Sequence, residues 1–195
     1  MTRQKEIRLG FWVDKLTNSI ENTISGEVFD TAITLLTQKD SKQIKKKHGA
    51  FDWHIELRQQ DRQVYKLSAV QNPTIIQGLI SLTDKGDHIF MDLIENAYFN
   101  KGKKKLYSGV AGNLVALGCK LSFERGYEGI VSFIAKTQLI EHYKQTLGAK
   151  LFAGNRMFID TKEALTLVSK YFKDFDYGKF LRKWMRKTLS SKIVL

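Results

Sequence analysis

Cysteine is nearly absent from this chain of 195 residues. Cys119 stands alone, which excludes an internal disulfide and a cysteine-rich metal site and fits a reducing cytoplasm. Proline also occurs once, as Pro73 after Asn72, and marks a break between elements. No apolar run approaches the ~20 residues that span a bilayer. The start, Met1-Thr2-Arg3-Gln4-Lys5-Glu6, leads into no apolar signal core, so a cytoplasmic protein without membrane insertion is expected. Acidic residues are few against basic ones: 20 Asp plus Glu face 32 Lys plus Arg, a net charge of +12 that asks for an anionic partner. With 43% hydrophobic residues, wholesale disorder is excluded, and the length suits one domain with at most an appendage.

The charge is clustered. Lys39, Lys42, Lys45, Lys46 and Lys47 form one group, and Lys101, Lys103, Lys104 and Lys105 a second. A third comprises Lys179, Arg182, Lys183, Arg186, Lys187 and Lys192, on a tail where Phe180, Leu181, Trp184, Met185 and Leu189 recur at helical spacing. Solvated faces account for many such runs. The tail reads as a basic amphipathic helix from residue 174 onward, appended to a domain over 1–173; it could dock on its own domain, on a twin subunit as a homodimer, on RNA or on an anionic surface.

Leu16, Ile20 and Ile24 suggest a short helix over 14–24, ended by Ser25-Gly26. Residues 27–37 read as a strand. Phe51, Trp53, Ile55 and Leu57 alternate with polar residues, the pattern of a half-buried strand, and the polar turn 59–62 then suggests a hairpin through Val64, Tyr65 and Leu67. Residues 74–82 and 88–97 flank the turn Asp84-Lys85-Gly86-Asp87 as antiparallel strands. A long helix follows over 109–125, with Gly126 as its stop, then an apolar strand over 129–135. Thr137 opens a helix to Leu147, closed by Gly148. A hairpin turns at Gly154-Asn155, and Asp160 with Glu163 has capping-box spacing for a helix to Phe172. The fold class is therefore α/β (α+β): a twisted mixed sheet flanked by helices.

The chemistry concentrates where Lys105-Leu106-Tyr107-Ser108-Gly109-Val110-Ala111-Gly112-Asn113-Leu114 opens the long helix. A first helical turn offers unpaired N–H groups and the positive end of the dipole, and small residues admit a phosphate; close helix–sheet packing explains the same glycines equally well. In its context this stretch resembles the GNAT superfamily of acyl-CoA-dependent N-acyltransferases. The resemblance covers roughly 50–160 as architecture, with the motif core at 75–160. The family's diphosphate motif, Gln/Arg-x-x-Gly-x-Gly/Ala, matches Leu106-Tyr107-Ser108-Gly109-Val110-Ala111, with Leu106 replacing the polar opener. Tyr143-Lys144-Gln145-Thr146-Leu147-Gly148-Ala149 resembles the family's Tyr-x-x-x-Leu-Gly-Phe, with Lys136 where an Asn commonly stands. Glu95, Ala97 and Asn100 match a bacterial branch reading Leu-Glu-x-Ala-Pro-x-Asn, with Tyr98 in place of the proline.

The resemblance implies that the strand carrying Glu95 bulges and parts from the strand at 129–135, leaving a gap for the pantetheine arm. It implies acetyl-CoA as cosubstrate, bound through Asn96 and Ala97 near the thioester and through Ser108, Gly109, Val110, Ala111, Gly112 and Asn113 at the diphosphate. It further implies a bacterial cytoplasmic N-acetyltransferase acting on a primary amine in a ternary complex. Aminoacyl-tRNA, a protein amine and a small amine all remain open as acceptor. An amine with a pKa near ~10.4 must lose a proton to attack. Glu95 is the first candidate base, Asp92 the second (on the opposite strand face if no bulge intervenes), and Tyr143 stands where relatives place the acid for the leaving thiolate. The competing class is a catalytically inactive module that uses coenzyme A or its basic surface for binding; Leu106 and Lys136 favour it. RNA contact would run through the cluster at 39–47 or the tail. His142 reads as a surface or interface residue, Cys119 as core, and His48, His54 and His88 lack metal-ligand spacing, so no metal is expected.

Overall fold

Strand β1 (Ser19–Asn22) and strand β2 (Val28–Leu35) open a computed structural model that describes residues 19–37, 40, 44, 51–172, 174–176, 178 and 182. A short helix α1 (Trp53–Arg58) precedes the strands β3 (Arg62–Ala69), β4 (Asn72–Asp84) and β5 (Ile89–Asn96). A 3₁₀ turn (Tyr98–Asn100) and the two-residue strand β6 (Tyr107–Ser108) lead into the long helix α2 (Val110–Arg125). Then come β7 (Val131–Ile134), α3 (Ile140–Leu147), the hairpin β8 (Lys150–Ala153) and β9 (Arg156–Ile159), and α4 (Thr161–Tyr171). The strands form one mixed sheet in the order β6-β1-β2-β3-β4-β5-β7-β9-β8, in which β5 and β7 alone run parallel.

Alternation along the strands divides the core. Ile80 and Leu82 face α2 and α4, where they meet Leu114, Phe123 and Leu167; Leu79 and Val64 face the other way and pack with Trp53 and Leu36. Cys119 is fully buried in the larger core, and burial pushes its thiol well above the ordinary range, as a packing residue requires. Helix α2 begins and ends on glycines of positive φ, Gly109 (φ 91) and Gly126 (φ 85), and α3 ends on Gly148 (φ 64), all in the left-handed region where a β-carbon is penalised. Asp160 accepts from the N–H groups of Lys162 and Glu163, so α4 starts where its capping-box spacing predicts.

Three expectations fail locally. The segment expected as a helix over 14–24 is, within its described part, strand β1 and a turn: Asn22 Oδ1 accepts from the N–H groups of Ile24 and Ser25, and Gly26 (φ 72) completes the reversal into β2. The alternating stretch from Phe51 to Leu57 forms α1 instead of a strand, because the Asp52 carboxylate caps the N–H of His54. The buried pair there is Trp53 and Glu56, one helical turn apart, while Ile55 is exposed. The turn at 59–62 accordingly joins a helix to β3, and β3 hairpins with β4. Pro73 lies just inside β4 next to that hairpin turn, where a missing N–H is tolerated. The cluster at 39–47 and the tail helix lie outside the described residues, apart from Asp40, Ile44, residues 174–176, Gly178 and Arg182. Phe175 packs its ring against Phe123, 5.6 Å between centroids. No helix among the described residues is long and apolar enough to cross a membrane.

Candidate active site

β5 and β7 stay paired from Ile89↔Val131 to Met91↔Phe133, after which β5 runs on to Asn96 without β7 beside it. The strands part at a bulge. Ser81 pairs Leu93 and Leu82 pairs Met91, which leaves Asp92 as an extra residue on β5. Beside the unpaired end of β5 lies a cavity of about 670 Å³, reaching from Met91, Glu95 and Asn96 on β5 to the first turn of α2 and across to His142, Tyr143 and Leu147 on α3.

The bulge also decides which way the carboxylates face. Three positions apart on a regular strand, Asp92 and Glu95 would point to opposite sides. The extra residue reverses the alternation, so Asp92 and Glu95 both lie on the α1 face. Glu95 is 8% exposed and lines the cavity. Its Oε2 accepts from Trp53 Nε1 at 2.8 Å, and its Oε1 meets Lys101 Nζ at 2.6 Å. Asp92 accepts from the Thr83 hydroxyl at 2.7 Å and pairs with Arg62 Nε at 3.4 Å; burial raises its carboxyl above the usual range against those contacts. Asp92 does not line the cavity, and Glu95 is the only carboxylate among the described residues that does.

The α2 wall is built for close approach. A β-carbon at Gly78 on β4 would lie 2.7 Å from Val110 Cγ1, so the start of α2 rests directly on the sheet backbone. Ser108, Gly109, Val110, Ala111 and Gly112 all line the cavity, with the first-turn N–H groups free of helical partners. Gly112 has a further reason to be glycine: a β-carbon there would land on the buried phenol of Tyr171 from α4, 2.5 Å from Cζ. Asn113 does not line the cavity. Its side-chain amide donates to the carbonyls of Ser19 and Gly109 at 2.9 Å each, tying α2 to β1. Ala97 does not line it either, and its N–H donates to the Gln77 carbonyl at 2.8 Å.

Asn96 is different. Its Oδ1 is buried without a hydrogen-bond partner, while its Nδ2 reaches the Asn100 carbonyl at 3.5 Å. The first-turn N–H groups of α2 suit an anion, and the polar wall they form with Asn96 fits the diphosphate and the amide-bearing arm of acetyl-CoA. Of the second lysine cluster, Lys101 and Lys105 line the cavity and Lys103 and Lys104 do not.

Tyr143 is half-buried on α3, edge-on to Phe133 with 5.2 Å between centroids, and burial raises its phenol above the usual range. His142, expected at a surface, is exposed at the rim of the same cavity. Lys136, where the family pattern has Asn, stands 5.6 Å over the Phe51 ring. Sequence reasoning misses Trp53, Tyr171 and the structural role of Asn100. Asn100 is buried, donates to Gln77 O and Oε1, and accepts from the Tyr107 N–H, fastening both ends of the loop at 101–106. Reading Asp52 as a helix cap would have found Trp53; nothing in the sequence pairs Tyr171 with Gly112.

No protein-family model matches the chain, and no curated protein does. Solved structures match over most of their own length. The AtaT–AtaR complex bound to DNA has a TM-score of 0.51 at 17% identity, covering 70% of this chain and 98% of that one. AtaTR bound with AcCoA gives 0.51 at 15%, covering 71% and 98%. AtaT complexed with acetyl-methionyl-tRNAfMet gives 0.51 at 16%, covering 71% and 99%. Together with the parted β5 and β7 and the glycine-led α2, these likenesses identify the chain's fold as that of the GNAT superfamily of acyl-CoA-dependent N-acyltransferases.

Proposed function

We propose that the protein is an N-acetyltransferase that moves an acetyl group from acetyl-CoA to a primary amine within a ternary complex. The observation that carries this reading is the cavity walled by β5, the start of α2 and α3, which joins a carboxylate, a phenol and a glycine-led helix start in one continuous space. Bound acetyl-CoA supplies an activated acyl carbon and a thiolate leaving group. The first-turn N–H groups of α2, with Lys105 beside them, hold the diphosphate. Asn96, on the cavity wall, orients the pantetheine arm. Glu95 receives the proton that the attacking amine must shed, and Tyr143 holds a proton for the departing sulfur. Burial of Tyr143 keeps its phenol protonated through the neutral range, the state a donor needs.

The net charge of +12 exceeds what one small anionic cosubstrate requires, which favours an acceptor that itself carries negative charge. A neighbour of the same fold was solved with acetyl-methionyl-tRNAfMet, so aminoacyl-tRNA belongs in the acceptor panel beside protein and small amines. The test combines thermal shift with acetyl-CoA and coenzyme A and thiol release across that panel. Acetyl-CoA should stabilise the protein, and with a true acceptor Glu95→Gln and Tyr143→Phe should each lower kcat by roughly a hundredfold or more. Stabilisation by neither coenzyme form, or full turnover in both variants, would overturn the assignment.

A further inference from the structure

Lys101 is the primary amine already standing at the proposed base. Its Nζ lies 2.6 Å from Glu95 Oε1, and both residues line the cavity assigned above to the acetyl donor. The placement is built. Asn100, immediately before it, is buried and bonded to Gln77 and to Tyr107 N–H, while Gly102 (φ 71), immediately after, turns the chain away. The Lys101 side chain is 41% exposed, so it is reachable and has room to move. Lys103 and Lys104, on the same loop, are exposed and do not line the cavity.

We infer that Lys101 is a self-acetylation site: the protein transfers an acetyl group from acetyl-CoA to its own Lys101 Nζ. The inference rests on the proposed acetyl transfer and adds a substrate to it. Glu95 takes one proton from the Lys101 ammonium; the freed amine nitrogen forms a bond to the thioester carbon; the carbon–sulfur bond breaks, and the sulfur leaves as thiolate to be protonated by Tyr143 or water. The nitrogen sheds its second proton to solvent as the amide forms. No oxidant or further reactant is needed. Holding the amine within the site replaces a bimolecular encounter by an intramolecular one. The product amide is uncharged, so the Lys101–Glu95 ion pair is lost and Glu95 becomes available to an external amine.

The experiment incubates the full chain with acetyl-CoA and no acceptor, and follows acetyl occupancy at each lysine by peptide mass spectrometry. Lys103 and Lys104 report the uncatalysed rate. Lys101 should be acetylated roughly a hundredfold faster than either, at a first-order rate independent of protein concentration. Glu95→Gln, checked for an unchanged melting profile, should bring Lys101 down to the rate of its neighbours. In Lys101→Arg the fast phase should vanish while Lys103 and Lys104 keep their rates. If acetyl-CoA stabilises the protein and an external amine is turned over, yet Lys101 reacts no faster than Lys103, the self-acetylation is overturned and the acetyltransferase assignment stands. A Lys101 rate that scales with protein concentration overturns the intramolecular step. If acetyl-CoA neither stabilises nor releases thiol, both proposals fall together.

Discussion

Replacing Gly112 by alanine puts packing and phosphate approach in direct competition as reasons for that glycine. The added β-carbon would sit 2.5 Å from Tyr171 Cζ and 3.0 Å from Cε2, closer than carbon atoms tolerate. Tyr171 is 1% exposed and stands at the cavity wall, so relieving the overlap means turning its ring out of its packed position. Alanine gains at most about 1 kcal/mol over glycine in a helix, whereas forcing an atom into a filled core costs about 1–3 kcal/mol or more. With the overlap at the upper end, Gly112→Ala should destabilise by about 2 kcal/mol, a fall in Tm of about 4–8 °C at this chain length. Gly118, in the same helix, is the internal control. Its β-carbon would meet Leu82 and Val131 at 3.6–3.9 Å, ordinary contact, so Gly118→Ala should stabilise by about 0.5–1 kcal/mol. Urea and thermal unfolding of both variants supply the readout, with acetyl-CoA affinity alongside. In a Tyr171→Ala background the cost of Gly112→Ala should disappear, giving a coupling energy of similar size. A Gly112→Ala protein as stable as its parent but defective in acetyl-CoA binding would refute the packing argument and restore the phosphate as the reason for the glycine.

Trp53→Phe keeps most of the ring but removes the Nε1 donor from Glu95 Oε2, leaving the buried carboxylate with one donor fewer. A stability loss of about 1–3 kcal/mol is expected in urea unfolding, together with a lower kcat at unchanged acetyl-CoA KM, because Trp53 positions Glu95 and does not line the cavity. Asp40 gives a pH test. The Lys66 ammonium at 2.8 Å, with the Thr37 N–H and hydroxyl, holds its carboxyl down to about 2 from the ordinary 3.8. A depressed folded-state pKa contributes stability that is present above the unfolded value and lost as pH falls from there through about 2. Asp40→Asn should therefore lower stability at neutral pH and flatten the acid limb of the stability profile; an unchanged acid limb would assign the acid sensitivity elsewhere. Cys119, fully buried, should remain unreactive to a thiol reagent in the native protein and react in denaturant.

Much of the fold is legible because local chemistry writes it. Glycine ends of α2 and α3, the Asp160 cap and the Gly154-Asn155 turn act within a few residues, so the second half of the chain reads correctly from its sequence except at Thr137, which begins a 3₁₀ turn ahead of α3 and caps neither. Errors fall where a local pattern serves two structures. Alternation from Phe51 to Leu57 suits a strand, yet one Asp52 cap turns it into helix. Ile20 at helical spacing from Ile24 proves to be core on a strand, while Ile24 is 87% exposed in the turn.

By itself the sequence determined the kinds of group available to the site: small residues at the start of α2, acidic residues on β5, and a tyrosine before a helix-ending glycine. Only the tertiary structure decided how they are used. The extra residue at Asp92 reverses the strand's alternation and turns Glu95 toward Trp53 and Lys101, because side-chain direction depends on register with β4. The phenol of Tyr171 fills the space that Gly112 leaves, because α4 packs across α2 from a position far along the chain. The second lysine cluster divides for the same reason. Lys101 is fixed on Glu95 by the anchored Asn100, while Lys103 and Lys104 stay in solvent, a distinction that charge alone, counted along the chain, does not contain.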